Sequence, residues 1–293
     1  WREVRVKLPA LGPGYRFRMD PPGTNGSFVL ASLKVTAAVP LRAPEWAAPS
    51  LPQLGADEIS VTSGALKLVH SRQALGEVEL QVRGKRMAIG HNRQQVGYLR
   101  EERLHWFTLG PSTAKTVSVQ SQGNAVVVRG QYTDPHRDVW EVTQRFTPSA
   151  ISDAIDVAIS VQVNADKAVV YLPLLTLLPG VGSFGTNKHQ GLLAGLEYLD
   201  NEPSRSESDV RGPAAHRLVP DTLKITCPLM AIQEDGRYVA LSWDMQPRIA
   251  ALFDSPDRTF NAGGHALALL FPGSDGLNRE DGQLLPHDGV PWT

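Results

Sequence analysis

Cysteine is almost absent from this sequence. Among its 293 residues the single cysteine is Cys227, so an intrachain disulfide and a cysteine-based zinc site are both excluded. Cys227 ends the alternating segment 223–227, which predicts a strand with the thiol packed among apolar side chains. The sequence contains no other pattern typical of a metal centre, and we expect no cofactor.

Excess charge and long apolar runs are lacking too. The chain has 29 Lys and Arg against 30 Asp and Glu, a net charge of −1. A nucleic-acid-binding protein needs a basic surface to neutralise phosphates. A membrane helix needs about 20 consecutive apolar residues, whereas residues 169–181 are interrupted by Pro173 and Pro179. We therefore expect neither a nucleic acid nor a membrane as a partner.

Catalytic signatures are missing as well. The sequence contains no Gly-x-Ser-x-Gly elbow and no His-Glu-x-x-His, the motifs that mark common hydrolases and metalloproteases, and we interpret Gly180-Val181-Gly182 as a turn. Function must therefore be inferred from the fold and from clusters of polar and aromatic residues.

Strand periodicity is what the sequence has in abundance. In Ile155–Val163 five β-branched residues alternate with Asp, Ala, Ser and Gln, which predicts a strand with one buried and one wet face. Alternation recurs at 117–119, 223–227 and 239–243, and a short apolar run occupies 125–128. Only residues 192–199 could form two helical turns, and Gly191 and Gly195 weaken that helix.

Turn signals separate these runs. Asp235-Gly236 lies between two alternating segments, and Gln122-Gly123-Asn124 lies between two more; both predict hairpins. Residues 134–138 predict another hairpin turn whose charges cap it. Many short strands joined in this way indicate an all-β protein, a large antiparallel two-sheet sandwich with under about a tenth of its residues in helix.

The chain shows one internal boundary. Residues 40–57 contain four prolines and no alternation, which predicts a linker. We expect residues 1–39 to be the C-terminal strands of an upstream β-sandwich module, because the first residues already alternate. Residues 58–272 would form the main domain, and 273–293 a polar tail. The chain would then be a piece of a longer protein.

Several of these segments carry a family resemblance. Residues 138–146, 155–163, 174–180, 195–199 and 224–230 together resemble the supersandwich, or galactose mutarotase-like, β domains of bacterial carbohydrate-active multidomain proteins. Residues 15–20 and 33–35 resemble the last strands of a jelly-roll carbohydrate-binding module. The resemblance implies a glycan ligand, neighbouring domains in the same parent chain, an association with glycoside hydrolases and a periplasmic or extracellular location.

The densest polar constellation occupies residues 197–209. It follows an apolar, Gly-rich stretch and places Glu197, Glu202 and Arg205 on a predicted loop, with His189 just before it. Loops on a rigid β scaffold often carry binding groups, and sugar hydroxyls require both acceptors and planar donors. We expect these residues to line one mouth of the sandwich and to bind carbohydrate. An ordinary solvated loop and a calcium site are the alternatives.

Three further residues complete the predicted site. His91 and Arg93 belong to the segment 90–95, whose Asn-Arg pair is similar to a sugar-contacting pair of mutarotase-like enzymes. Trp243 ends the alternating run 239–243. We expect these side chains to face the loop residues across the groove.

Three functions are consistent with this reading. The first is a carbohydrate-binding or accessory β domain, favoured by an open aromatic platform. The second is a carbohydrate-active enzyme domain (aldose-epimerase-like, lyase or glycoside hydrolase) with a His/Glu site in the concave sheet. The third is a structural spacer, which a covered sheet face would favour. We take the first as the working hypothesis.

Overall fold

The structure is a computed structural model that describes residues 2–3, 27, 29–34, 48–52, 54–55, 57–72, 78–91, 94–101, 103–199, 201–205, 220, 222–246, 248–271, 277–280 and 283–286. Within these residues the regular elements are twenty strands and one short 3-10 turn at Thr222–Lys224. The all-β sandwich predicted from the alternating runs is thereby confirmed. The strands form several antiparallel sheets rather than a simple pair.

The largest sheet has ten strands. Eight of them run in the spatial order β1-β2-β3-β4-β11-β18-β17-β14, while β5 pairs with β11 and with β6. Their bounds are β1 Glu58–Ser63, β2 Leu66–Ser71, β3 Val78–Val82, β4 Lys85–Gly90, β5 Gln94–Arg100, β6 Arg103–Leu109, β11 Ala168–Pro179, β14 Ser204–Arg205, β17 Ala250–Ser255 and β18 Ala266–Phe271.

Two four-stranded sheets and a hairpin complete the fold. One sheet has the order β10-β9-β8-β7, the other β13-β12-β15-β16, and β19 pairs with β20. Their bounds are β7 Ala114–Gln122, β8 Ala125–Thr133, β9 Val139–Pro148, β10 Ile155–Val163, β12 Gln190–Leu193, β13 Glu197–Tyr198, β15 Leu229–Glu234, β16 Arg237–Ser242, β19 Leu277–Glu280 and β20 Gln283–Pro286.

The predicted hairpin turns are all present. Asp235 and Gly236 join β15 to β16, and both have positive φ, 51° and 67°, as a type I′ turn requires. Gly123, with φ of 64°, lies in the turn between β7 and β8. At the β8–β9 turn the carboxylate of Asp134 accepts hydrogen bonds from the backbone N–H groups of His136 and Asp138, 2.8 and 3.1 Å. That turn is capped as its sequence predicts.

The main core unites all three of the larger sheets. Its buried side chains include Val61 and Leu267 of the ten-stranded sheet, Val128 of the sheet that ends in β7, and Leu193 and Ile232 of the sheet that ends in β16. Alternation supplies these residues, because each strand points every second side chain inward. The two four-stranded sheets thus share one core with the large sheet, and the remaining face of each is left for other contacts.

One local prediction in this part of the chain was wrong. Residues 223–227 form no strand but the end of a 3-10 turn followed by bends, and Cys227 is exposed rather than buried. Residues 192–199, where Gly191 and Gly195 weaken a possible helix, form β12, a turn and β13. The neighbouring strand β15 decides both outcomes. β12 pairs with β15, and the backbone N–H of Leu229, the first residue of β15, donates a hydrogen bond to the carbonyl of Cys227.

The predicted boundaries fall largely outside the described residues. Most of 1–39 and part of 40–57 are not described, so the upstream-module and linker predictions remain predictions. In the predicted tail, β19 and β20 form an antiparallel hairpin. No helix long and apolar enough to cross a membrane occurs among the residues that the structure describes.

Candidate functional site

The sheet that ends in β13 and β16 has one face in the core and one face outside. The pairs Leu192↔Tyr198, Leu192↔Ala231 and Ala231↔Ala240 place these side chains in one cross-strand row on the outer face. The next row is Gln190, Gln233 and Tyr238. We call this outer surface the tyrosine platform; it comprises Gln190, Leu192, Tyr198, Leu229, Ala231, Gln233, Tyr238, Ala240 and Ser242.

Two tyrosines are the prominent exposed groups of the tyrosine platform. Tyr198 is 58% exposed and Tyr238 59% exposed, unusually open for aromatic side chains, whose burial is normally favourable. Each alternates with inward-pointing neighbours, as Tyr238 does with the buried Val239. The strand pleat therefore directs both rings outward.

Both rings are fixed by their hydroxyl groups. The backbone N–H of Gly195 donates to the hydroxyl oxygen of Tyr198 over 2.6 Å. The hydroxyl of Tyr238 donates to Oε1 of Gln190 over 3.1 Å. Because the hydroxyls are held from within the protein, the ring orientations are set before any ligand arrives, which reduces the entropy lost on binding.

The second of these hydrogen bonds spans a whole strand. Tyr238 lies on β16 and Gln190 on β12, with β15 and its Gln233 between them. The ring of Tyr238 therefore reaches across Gln233, which is only 6% exposed. Oε1 of Gln233 has no hydrogen-bond partner among the described residues. An acceptor with spare capacity thus lies directly under the ring that crosses it.

Behind the tyrosine platform the central group is Lys188. Its Nζ lies 3.2 Å from Oε1 of Glu197 and donates to the carbonyl of Glu202, at 2.9 Å, and to Oγ of Ser204, at 2.5 Å. The ammonium group also lies 5.5 Å from the ring centroid of Phe253. Lys188 thus joins the segment 197–204 to the body of the domain, and with it the backbone that carries Tyr198.

The predicted loop residues differ in their relation to Lys188. Glu197 is buried and points inward from β13, on the face opposite Tyr198. Glu202 is exposed, and its carbonyl contacts Lys188. His189 is exposed next to Gln190. Arg205 pairs through its backbone with Asp254 on β17, and its side chain lies outside the described residues. The structure therefore brings Glu197 and the backbone of Glu202 together at Lys188.

The residues expected across the groove are buried, half-buried or outside the described residues. His91 is 4% exposed and packs edge-on against Phe260, with ring centroids 4.9 Å apart. Arg93 lies outside the described residues. Trp243 follows β16 directly, is half-buried, and lines a small depression with Ile225, Met245 and Ile249.

A second polar cluster joins the ends of β5 and β8. Lys167 lies 2.7 Å from Oδ2 of Asp134, and its ammonium is 4.4 Å from the ring centroid of Tyr98. Tyr98 shares a 2.6 Å hydrogen bond with Nδ1 of His136, and Trp140 donates to Asp134 over 3.1 Å. Tyr98, Asp134 and Lys167 are all buried, so this cluster serves to fix the β8–β9 turn.

Electrostatics in this second cluster follow from burial and pairing. Desolvation, with the nearby Asp134 carboxylate, raises the pKa of Tyr98. Burial alone would raise the pKa of Asp134, but hydrogen bonds from Lys167 and Trp140 outweigh it and hold that pKa below its ordinary value. The pKa of His105, next to His136, is lowered by desolvation and by that neighbouring imidazole. Tyr98 is therefore neutral and lies beside the ionised carboxylate of Asp134.

The tyrosine platform was missed in the sequence. The alternation of residues 229–233 and 238–243 already places Gln233 and Tyr238 in one phase, and the Asp-Gly turn sets them opposite each other. That signal was available. The contribution of Gln190 and Tyr198 was not, because no local pattern announces that β12 pairs with β15.

Comparisons with known proteins identify no relative: no protein-family model, no curated protein and no solved structure matches the chain. Within the described part of the chain no group of three or more His, Cys, Asp or Glu side chains is arranged to hold a metal ion.

Proposed function

We propose that this domain binds carbohydrate on the tyrosine platform. The observation that supports the proposal is the pair of exposed rings of Tyr198 and Tyr238, each held by its hydroxyl group on one open sheet face. The C–H groups of a pyranose ring form an apolar face that packs on an aromatic ring, while its hydroxyl groups need polar partners beside that ring.

The neighbouring amide of Gln190 supplies such a partner. Gln190 lies at the hydroxyl end of the Tyr238 ring and is half-buried, and an amide both donates and accepts hydrogen bonds, as does each sugar hydroxyl. An accessory binding role in a glycan-processing protein fits this surface better than catalysis does, because the tyrosine platform carries no acid–base pair of the kind that glycosidic bond cleavage requires.

The experiment compares ring removal with hydroxyl removal. Tyr198→Ala and Tyr238→Ala should each weaken glycan binding about ten-fold, equivalent to about 1.4 kcal/mol, because a stacking face is lost. Tyr238→Phe keeps the face and loses only the bond to Gln190, so it should retain most of the affinity. Binding is measured on a glycan array and then by calorimetric titration.

Ile151→Ala is the matched control. Ile151 is 72% exposed on the β9–β10 turn, away from the tyrosine platform, so its loss should leave binding unchanged. Melting temperatures of all variants should stay close to that of the wild type, since neither ring is buried. Unchanged glycan binding by both tyrosine-to-alanine variants would refute the proposal.

A further inference from the structure

The tyrosine platform carries no charge. All nine of its side chains are Gln, Leu, Tyr, Ala or Ser. The charged residues of the same strands, Glu197, Glu234 and Arg237, occupy the opposite phase of the pleat. A bound carboxylate or sulfate would therefore lose hydration on this surface and meet no cation among these nine side chains, which is unfavourable.

The backbone positions of the two tyrosines are too far apart for one sugar. Tyr198 and Tyr238 lie on the two edge strands of the sheet, three strand spacings apart, which amounts to about 14 Å. They also differ by one row along the strands, a further offset of about 7 Å. The two Cα atoms are therefore about 16 Å apart, and a ligand that contacts both tyrosines must extend over more than one sugar unit.

Small side chains occupy part of the surface between the two tyrosines. Ala231 and Ala240 are neighbours in the row of Tyr198, and Ser242 follows Ala240 two residues along β16. Leu192 lies between Tyr198 and Ala231. A ligand can therefore approach the backbone beside Ala231 and Ala240.

We propose that the tyrosine platform takes a neutral glycan chain several units long, bound along its length from Tyr198 to Tyr238, and discriminates against glycans that carry uronic acids or sulfate. This inference rests on the proposed function and names its ligand class.

The test is a titration series on the same full chain. Neutral homo-oligosaccharides from a monosaccharide to a hexasaccharide are compared with uronic-acid and sulfated oligosaccharides of matched length. Affinity for the neutral series should rise at least ten-fold from the disaccharide to the length that reaches both rings, and then level off. It should change little with salt, since no ion pair is formed.

Two variants sharpen the result. Ala240→Lys places a cation on an exposed position of β16, two residues from Tyr238, and should create salt-sensitive binding of the anionic series. Tyr198→Ala should abolish the gain in affinity with length while leaving short neutral ligands bound at Tyr238. Ala240→Ser adds a side-chain atom without charge and serves as the control for crowding.

The outcomes separate the two proposals. If the wild type binds anionic oligosaccharides as tightly as neutral ones, or if the monosaccharide binds as tightly as the hexasaccharide, this inference is overturned while the proposed function stands. If no glycan of either series binds, the proposed function fails and this inference fails with it. Length-dependent, salt-insensitive binding of the neutral series, lost with Tyr198, supports both.

Discussion

Lys188 offers the sharpest test of how this domain holds its tyrosine platform. The side chains of Lys188 and Glu197 are only 2% and 11% exposed and lie 3.2 Å apart. A pair so well removed from water differs from a surface ion pair, because loss of one partner strands the other charge in a poorly solvating site. We therefore expect Lys188→Met to destabilise the domain by about 3–5 kcal/mol.

Methionine is chosen because its unbranched side chain has a length close to that of lysine. It preserves packing near Phe253 and removes the ammonium that lies 5.5 Å from that ring. The hydrogen bonds to the carbonyl of Glu202 and to Ser204 are lost as well. Glu202 is exposed, so its carbonyl can regain water, and we expect the stranded Glu197 carboxylate to dominate the loss.

The assay is equilibrium unfolding in urea, with Lys188→Met/Glu197→Leu as the partner variant. Removing both charges leaves no stranded carboxylate, so the double variant should recover most of the lost free energy of unfolding. Glycan affinity is measured in parallel, since Tyr198 follows Glu197 directly. A loss below about 1 kcal/mol for the single variant, or no recovery in the double variant, would refute the reasoning.

Two further predictions concern stability. Burial lowers the pKa of His70 to about 4 in the folded protein, below the value of about 6.5 in the unfolded chain. The unfolded chain therefore binds a proton first, and the free energy of unfolding falls as the pH drops from about 6.5 toward 4. Urea titrations measure the free energy of unfolding of the wild type and of His70→Leu. The difference between the two proteins should fall by about 2 kcal/mol between pH 7 and pH 5, and a difference that is independent of pH would contradict this. Gly195 has φ of 108° and abuts the carbonyl of Lys224, so Gly195→Ala should lower the free energy of unfolding by more than about 3 kcal/mol. The control is Gly236→Ala, at a positive-φ position in open space, which should cost about 1 kcal/mol; equal losses would show that crowding at Gly195 is unimportant.

Local sequence was sufficient for much of the fold. The alternation of Ile155–Val163 predicts β10 with the bounds that the structure has. Asp235-Gly236 predicts the hairpin of β15 and β16, because positive φ at both turn positions suits Asp and Gly. These features depend on interactions between residues close in the chain, for which side-chain period and turn chemistry are direct signals.

The candidate site was only partly accessible from sequence. The segment 197–205 was recognised as polar, yet its organising residue is Lys188, whose contacts reach nine to sixteen positions along the chain. A lysine followed by histidine between glycines carries no signal of burial. Glu197 was predicted to lie on a loop because its neighbours in the sequence carry no signal of burial either. Its ion pair with Lys188 explains why the Glu197 side chain is buried.

What the sequence by itself determined is the all-β class, the face that each strand presents and the turns that join adjacent strands. What only the tertiary structure decided is which distant strands meet. β12 pairs with β15 across more than thirty intervening residues, and that pairing makes a strand of residues 190–193, where the sequence left two helical turns possible. It also sets Gln190 within reach of Tyr238. The physical reason is that alternation fixes which side chains a strand buries, whereas the choice of partner strand depends on the total burial and backbone hydrogen bonding of the assembled core.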